Sequence, residues 1–167
     1  GALPPESRSD ESVLEMKSHF VPYYNSHICD KTKPYTGIIE MLDILAKEGI
    51  TFAIASNKYQ EGTEILVKKL LSRYGFIRIL GQRDNKPIKP DPEIINEIMS
   101  DIPGIKAEEV IYCGDSDVDM QTGINARIKT IGVTWGFRTR EELRAYDPWL
   151  LAEKPEEISA AVVTYSE

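Results

Sequence analysis

A chain of 167 residues, 41% of them hydrophobic, is long enough for one domain with a sizeable core, and it holds no apolar run of the roughly 20 residues that span a bilayer. Twenty basic residues against 27 acidic ones leave a net charge of −7, which argues against nucleic acid as a partner, and Cys29 and Cys113 are too few and too far apart for a disulfide framework or a Cys-rich metal site. The opening Gly1-Ala2-Leu3-Pro4-Pro5 lacks the basic and apolar regions of a secretory signal, so the expectation is a cytoplasmic protein with no membrane partner.

Val13, Met16, Phe20 and Tyr23/Tyr24 recur at three-to-four-residue steps and predict an amphipathic helix over 9–27. The polar stretch 30–37, with Pro34 and Gly37, suits a connector and marks the boundary within the chain. From Gly37 a βα rhythm begins. Ile38, Leu42 and Leu45 share one helical face, and the apolar run 50–55 reads as a buried strand. A helix over 61–74, a short strand over 76–80 and a helix opened by Asp91-Pro92 follow, with Asp91 able to cap and Pro92 suited to a first turn. Next come a strand over 110–113, a helix over 118–126 and a strand over 129–133. Thr139-Arg140-Glu141-Glu142 reads as a capping box, ahead of a last strand over 149–152 and helix over 156–163. Strands without polar alternation, separated by helices, indicate an α/β fold with a parallel sheet covered on both faces. Loops after the strands' C-terminal ends then gather on one edge, where ligands of open α/β sheets bind.

Three groups of polar residues fall on or near those loops. Gly114-Asp115-Ser116-Asp117-Val118-Asp119 brings three carboxylates together after a buried strand, and like charges so close repel unless a cation joins them. Few carboxylates and little else suit Mg²⁺, which keeps several waters; taken alone, the run is equally a solvated turn with Asp115 or Asp117 capping the helix. Ser56-Asn57, placed after the 50–55 strand, either end it in the ordinary way or offer a hydroxyl and backbone N–H groups to a phosphate. Lys89 sits between prolines in Lys86-Pro87-Ile88-Lys89-Pro90-Asp91-Pro92, a stiff loop able to fix one ammonium in advance, although a lone lysine is usually just solvated.

A hydroxyl, an ammonium and a carboxylate cluster in this order on successive loops resemble motifs two, three and four of the haloacid dehalogenase superfamily. The likeness is greatest to its phosphoglycolate-phosphatase branch, through Thr32-Lys33-Pro34-Tyr35, Ile54-Ala55-Ser56-Asn57-Lys58, Lys89-Pro90-Asp91-Pro92, the acidic run, and Gly132-Val133-Thr134-Trp135-Gly136-Phe137-Arg138. The resemblance implies a Rossmann-like core over 34–167 preceded by the remnant of a helical cap over 1–33. It implies that Ser56 hydrogen-bonds a transferring phosphoryl group, that Asn57 offers it a backbone donor, and that Lys89 neutralises its charge while holding the nucleophile. Asp115 would ligate Mg²⁺, and Asp119 would assist directly or through water; Asp117 falls at a variable place and has no role.

The family's first motif, Asp-x-Asp-Gly-Thr at the end of a central strand, has no counterpart in this sequence, and Asp10 and Glu11 open a helix instead. The expectation is therefore a core without its nucleophile strand, completed by a missing N-terminal segment or a second chain, and inactive as it stands. The implied function is Mg²⁺-dependent hydrolysis of a small phosphorylated metabolite through an aspartyl-phosphate. A phosphomutase or a catalytically dead binding domain are the alternatives. Asn125-Ala126-Arg127 replaces the Ala-Gly that usually closes the motif-four helix, so Asn125 or Arg127 must take a left-handed conformation or the turn must differ.

Overall fold

The computed structural model describes residues 9–166. Helix α1 (Asp10–His27) is capped by the Ser9 hydroxyl, which accepts the Ser12 N–H, and carries Pro22 in its interior. Ile28, just past its end, is buried at 5% exposure and ties the segment to the core. None of the helices in the described residues is long and apolar enough to cross a membrane.

The α/β core follows in alternation: α2 (Ile38–Lys47), β1 (Phe52–Tyr59), α3 (Gln60–Leu70), β2 (Phe76–Gln82), α4 (Glu93–Ser100), β3 (Ile111–Gly114), α5 (Asp117–Ala126), β4 (Lys129–Val133), α6 (Arg140–Arg144), β5 (Leu150–Ala152) and α7 (Pro155–Ser166). Every strand pairing is parallel, as unbroken apolar strands between helices require. The strands form two groups, β1 with β2 and β3-β4-β5, with no backbone ladder between them among the described residues.

Both groups share their cores. On one face Leu45, Ile158 and Val162 from α2 and α7 pack on Ile131, Val133 and Ala152, with Phe52 of β1 and Ile111 of β3 joining them. On the other, Ile94 and Ile95 of α4 pack with Leu80 and Ile128, joined by Ala55 of β1 and Tyr112 of β3. Ile111 and Tyr112 go to opposite faces because successive side chains of a strand alternate. β1 and β3 thus contribute to the same two core layers with no ladder hydrogen bonds between them among the described residues.

Strand β1 is longer than its apolar run implies, and it carries Ser56 and Asn57 within itself. Its register with β2 shifts once between Phe52 and Ala53, runs regularly from Ala53↔Arg78 to Ala55↔Leu80 and resumes at Tyr59↔Gln82, so Ser56, Asn57 and Lys58 oppose Gly81 alone. The bulge is possible because residue 81 is glycine: a Cβ there would lie 2.6 Å from the Lys58 carbonyl oxygen and 2.7 Å from Gln60 Cα. Gln60 closes the bulge, its Oε1 accepting the Gly81 N–H at 2.6 Å and its Nε2 donating to the Ile79 carbonyl at 2.8 Å.

Gly81→Ala should therefore push β2 from the bulge and lower stability by about 1–3 kcal/mol in urea unfolding, whereas Gly75→Ala, where a Cβ meets nothing within 4 Å, should not. Equal losses at the two positions would mean that the bulge tolerates a side chain.

Candidate active site

The bulge in β1, the loop between β2 and α4, and the β3–α5 turn meet on the sheet edge at the strands' C-terminal ends. Lys89 is their common point. Its Nζ donates to Asp119 Oδ1 at 2.7 Å, to the Tyr112 hydroxyl at 2.9 Å and to the Ala55 carbonyl at 3.1 Å. Those partners come from α5, β3 and β1, so one ammonium joins the two strand groups where no ladder does. The side chains of Lys89 and Asp119 are each 9% exposed, which makes this a nearly buried ion pair.

The backbone of Lys89 is held as firmly as its tip. Asn57 donates through Nδ2 to the Lys89 carbonyl at 3.0 Å and accepts the Lys89 N–H through Oδ1 at 2.9 Å. Lys89-Pro90 is a cis bond, and Asn125 Nδ2 donates to the Pro90 carbonyl at 2.8 Å. Further back, Arg83 makes a two-pronged pair with Glu97 of α4, at 2.7 and 2.8 Å, and Lys86 lies 3.3 Å from Glu93. The Arg83 guanidinium, through its hydrogen bonds, holds the Glu97 carboxyl at about 2.

Asp119 accepts four hydrogen bonds besides leading its own helix turn. Oδ1 takes Lys89 and the Tyr112 hydroxyl (2.7 Å), while Oδ2 takes the Ser116 hydroxyl (2.5 Å) and the Asp115 N–H (3.2 Å). Burial alone would raise its pKa, but the charge and hydrogen bond of Lys89, with Ser116 and Tyr112, outweigh that and hold the carboxyl below its ordinary value. Burial first, then the Asp119 charge, pushes the Tyr112 phenol upward, so it stays a neutral donor. Gly114 lets α5 close this tightly over β3, since a Cβ at 114 would collide with the Asp119 side chain.

Asp115 differs. Its Oδ2 accepts the Phe137 N–H at 3.2 Å and its carbonyl accepts the Arg138 N–H at 3.1 Å, while Oδ1 has no partner among the described residues. Asp117 turns away to pair with Arg138 Nε at 2.9 Å, and that guanidinium's hydrogen bond lowers its carboxyl. Neither Asp115 nor Asp117 caps α5, as the solvated-turn reading would have it. Ser116 does, accepting the Asp119 N–H at 3.2 Å.

Of the residues singled out from sequence, Lys89 and Asp119 touch, Asn57 holds Lys89, and Asp115 joins Asp119 through its backbone. Ser56 makes a local turn instead, its hydroxyl accepting the Lys58 N–H at 3.1 Å. Three participants went unnoticed. Tyr112 had a signal, because a tyrosine inside a buried strand needs a partner for its hydroxyl. Ser116 had one in the cap preference for serine. The Asn57 side chain had none, since its partner is 32 residues away. From above, α1 reaches the bulge: Lys58 Nζ donates to the Tyr24 hydroxyl at 2.7 Å and Tyr59 to Asn25 Oδ1.

The chain as a whole is similar to known proteins. The family model of haloacid dehalogenase-like hydrolases covers residues 4–133, and the chain belongs to that family. It is 32% identical over 129 residues to a phosphoglycolate phosphatase of Mesorhizobium japonicum, covering 77% of this chain and 56% of that protein. It is 30% identical over 148 residues to the pyrophosphatase PpaX of Halalkalibacterium halodurans, covering 87% and 68%. A crystal structure from Lactobacillus delbrueckii subsp. bulgaricus, provisionally described as a phosphoglycolate phosphatase, superposes with a TM-score of 0.79 at 30% identity, over 96% of this chain and 66% of that one. The chain thus spans between about half and two thirds of the length of these relatives. The haloacid dehalogenase-like family, in its phosphoglycolate-phosphatase-like branch, is the class that fold and likeness define.

Two outcomes follow from the buried pair. Asp119→Ala should cost about 3–5 kcal/mol in chemical unfolding by stranding the Lys89 ammonium, and Lys89→Met added to it should recover much of that loss. At Glu97, whose folded-state carboxyl titrates below its unfolded value, the contribution is present above about pH 4.5 and disappears as pH falls towards 2. Glu97→Gln should therefore remove on the order of 1–2 kcal/mol at neutral pH and flatten the acid limb of a stability–pH curve.

Proposed function

We propose that this chain is the phosphoryl-binding core of a Mg²⁺-dependent phosphomonoester hydrolase acting on a small phosphorylated metabolite. The observation that carries it is the convergence of a nearly buried, fully hydrogen-bonded ammonium, a carboxylate with a free oxygen and a bulged strand end on one sheet edge. The names of the relatives, phosphoglycolate phosphatase and pyrophosphatase, support a small phosphorylated compound as substrate.

Each side chain has a task. Lys89 offsets negative charge on the phosphoryl oxygens and is pre-aimed, so no reorganisation is needed during reaction. The Ser56 hydroxyl, with the N–H groups of the bulge, donates to those oxygens. Asp115 fits as the holder of Mg²⁺, because one hard carboxylate oxygen without a partner is what an ion that keeps most of its waters requires. Among the described residues there is no cluster of three or more His, Cys, Asp or Glu side chains that would suit a fully protein-bound metal instead. When bound there, Mg²⁺ would supply positive charge that offsets the charge of the phosphoryl group. Asp119, with both oxygens occupied, acts by fixing Lys89 and Ser116.

The attacking carboxylate belongs, in this reading, to a strand entering between β1 and β3, from polypeptide outside this sequence or from a second chain. Its oxygen bonds to phosphorus as the ester oxygen leaves, taking a proton from an acid on that added strand or from water; water then cleaves the aspartyl-phosphate, giving up a proton to the same acid or to solvent, releasing phosphate and restoring the carboxylate. Residues 1–33 are read as the end of a cap, which the ties from Tyr24 and Asn25 to the bulge support.

Intact mass and hydrolysis of p-nitrophenyl phosphate, measured on one sample, test this. A polypeptide that includes the additional strand should turn over only with Mg²⁺, losing at least about a hundredfold in kcat with Asp115→Asn; the 167 residues alone should be inert. Turnover that survives EDTA or Asp115→Asn would sink the reading.

A further inference from the structure

On the opposite sheet edge, where β3, β4 and β5 begin, the structure has an open, solvent-facing groove of about 480 Å³. That size suits a small molecule. Its lining brings three chemistries together: the cations Arg127 and Lys129, the carboxylates Asp147 and Glu108, and the rings of Tyr146 and Trp149. It shares none of these residues with the site around Lys89 and does not depend on that site's function.

Two features set this groove apart from a packing gap. Among the described residues three that are not glycine have positive φ, and two of them line it, Arg127 (φ 58°) and Asp147 (φ 49°). Arg127 closes α5 with φ 58° and ψ 39°, a left-handed end that glycine adopts without steric cost. Strain of this kind gathers at ligand sites, where the side chain is worth more than the conformation costs. Arg127 is exposed and, like Arg144, has no carboxylate partner among the described residues, whereas Arg73, Arg78, Arg83, Arg138 and Arg140 are each ion-paired.

The wall beside it is braced. Lys129 Nζ donates to the Tyr165 hydroxyl at 2.8 Å and stands 4.4 Å from that ring's centre; the hydroxyl donates to the Glu108 carbonyl at 3.0 Å, and Trp149 meets the ring edge-on at 5.5 Å. Trp149 is therefore held in place with 39% of its surface open. Glu108 lies 3.8 Å from Lys106 Nζ, which leaves Asp147 as the carboxylate without a side-chain partner among the described residues.

We propose that this groove binds a nucleoside monophosphate. The guanidinium fork of Arg127 matches a phosphate, the Asp147 carboxylate accepts from the ribose hydroxyls, and the faces of Trp149 and Tyr146 take the base. No one of these groups selects such a ligand alone; their combination around one groove does.

The sequence provides its own reporter, because its tryptophans are Trp135 and Trp149, and Trp135 follows β4 on the other edge. In the full chain carrying Trp135→Phe, AMP should change Trp149 fluorescence saturably with Kd below about 1 mM. Arg127→Gly should weaken AMP about tenfold or more while raising Tm, since glycine relieves the left-handed end. Binding lost from a more stable protein cannot be ascribed to unfolding. Asp147→Asn should weaken AMP, and adenosine or inorganic phosphate alone should not saturate in the same range. The proposal is overturned if AMP does not saturate, if Arg127→Gly leaves Kd unchanged, or if phosphate alone binds as well as AMP.

Discussion

The structure depends on one ammonium group. Lys89 stands where two groups of parallel strands adjoin without a ladder, and its three N–H bonds go to β1, β3 and α5. A nearly buried charge is costly unless every proton has an acceptor, so the surrounding residues are constrained to supply them. Asn57 fixes the lysine's backbone, Gly114 brings Asp119 close, Tyr112 fills the remaining direction, and Arg83 with Glu97 braces the loop from behind. Remove the charge and most of these polar choices lose their reason.

The acidic run after β3 divides its work by surroundings. Asp119 is 7% exposed and has four donors, so it is spent on architecture. Asp115, four residues earlier, keeps an oxygen free at the edge, and Asp117 faces Arg138. Three aspartates within five residues thus have three fates, decided by which face of the α5 turn each occupies. Spacing alone does not distinguish them.

Much of the fold could be read from local pattern. The strand over 129–133 lies where its apolar run places it, the Thr139 capping box forms with Glu142, and the lysine and aspartates fall near strand ends because βα loops leave them little choice. The rest is long-range. The extension of β1 through Tyr59 depends on Gly81, 22 residues later; the hold on Lys89 depends on Asn57; and the cap of α5 falls to Ser116 instead of Asp115 or Asp117, its hydroxyl accepting the Asp119 N–H and donating to the Asp119 carboxylate. Of the two residues that could have closed α5 in a left-handed conformation, Arg127 does so, which leaves Asn125 free to hold the Pro90 carbonyl.

The saturation of Lys89 has a chemical corollary. An amine acylates only when its lone pair is free, and this one holds three protons in bonds to neighbouring acceptors under 9% exposure. Lysine-directed reagents should therefore mark the outer face readily and leave residue 89 untouched. Loss of that protection would report the opening of the junction between β1 and β3.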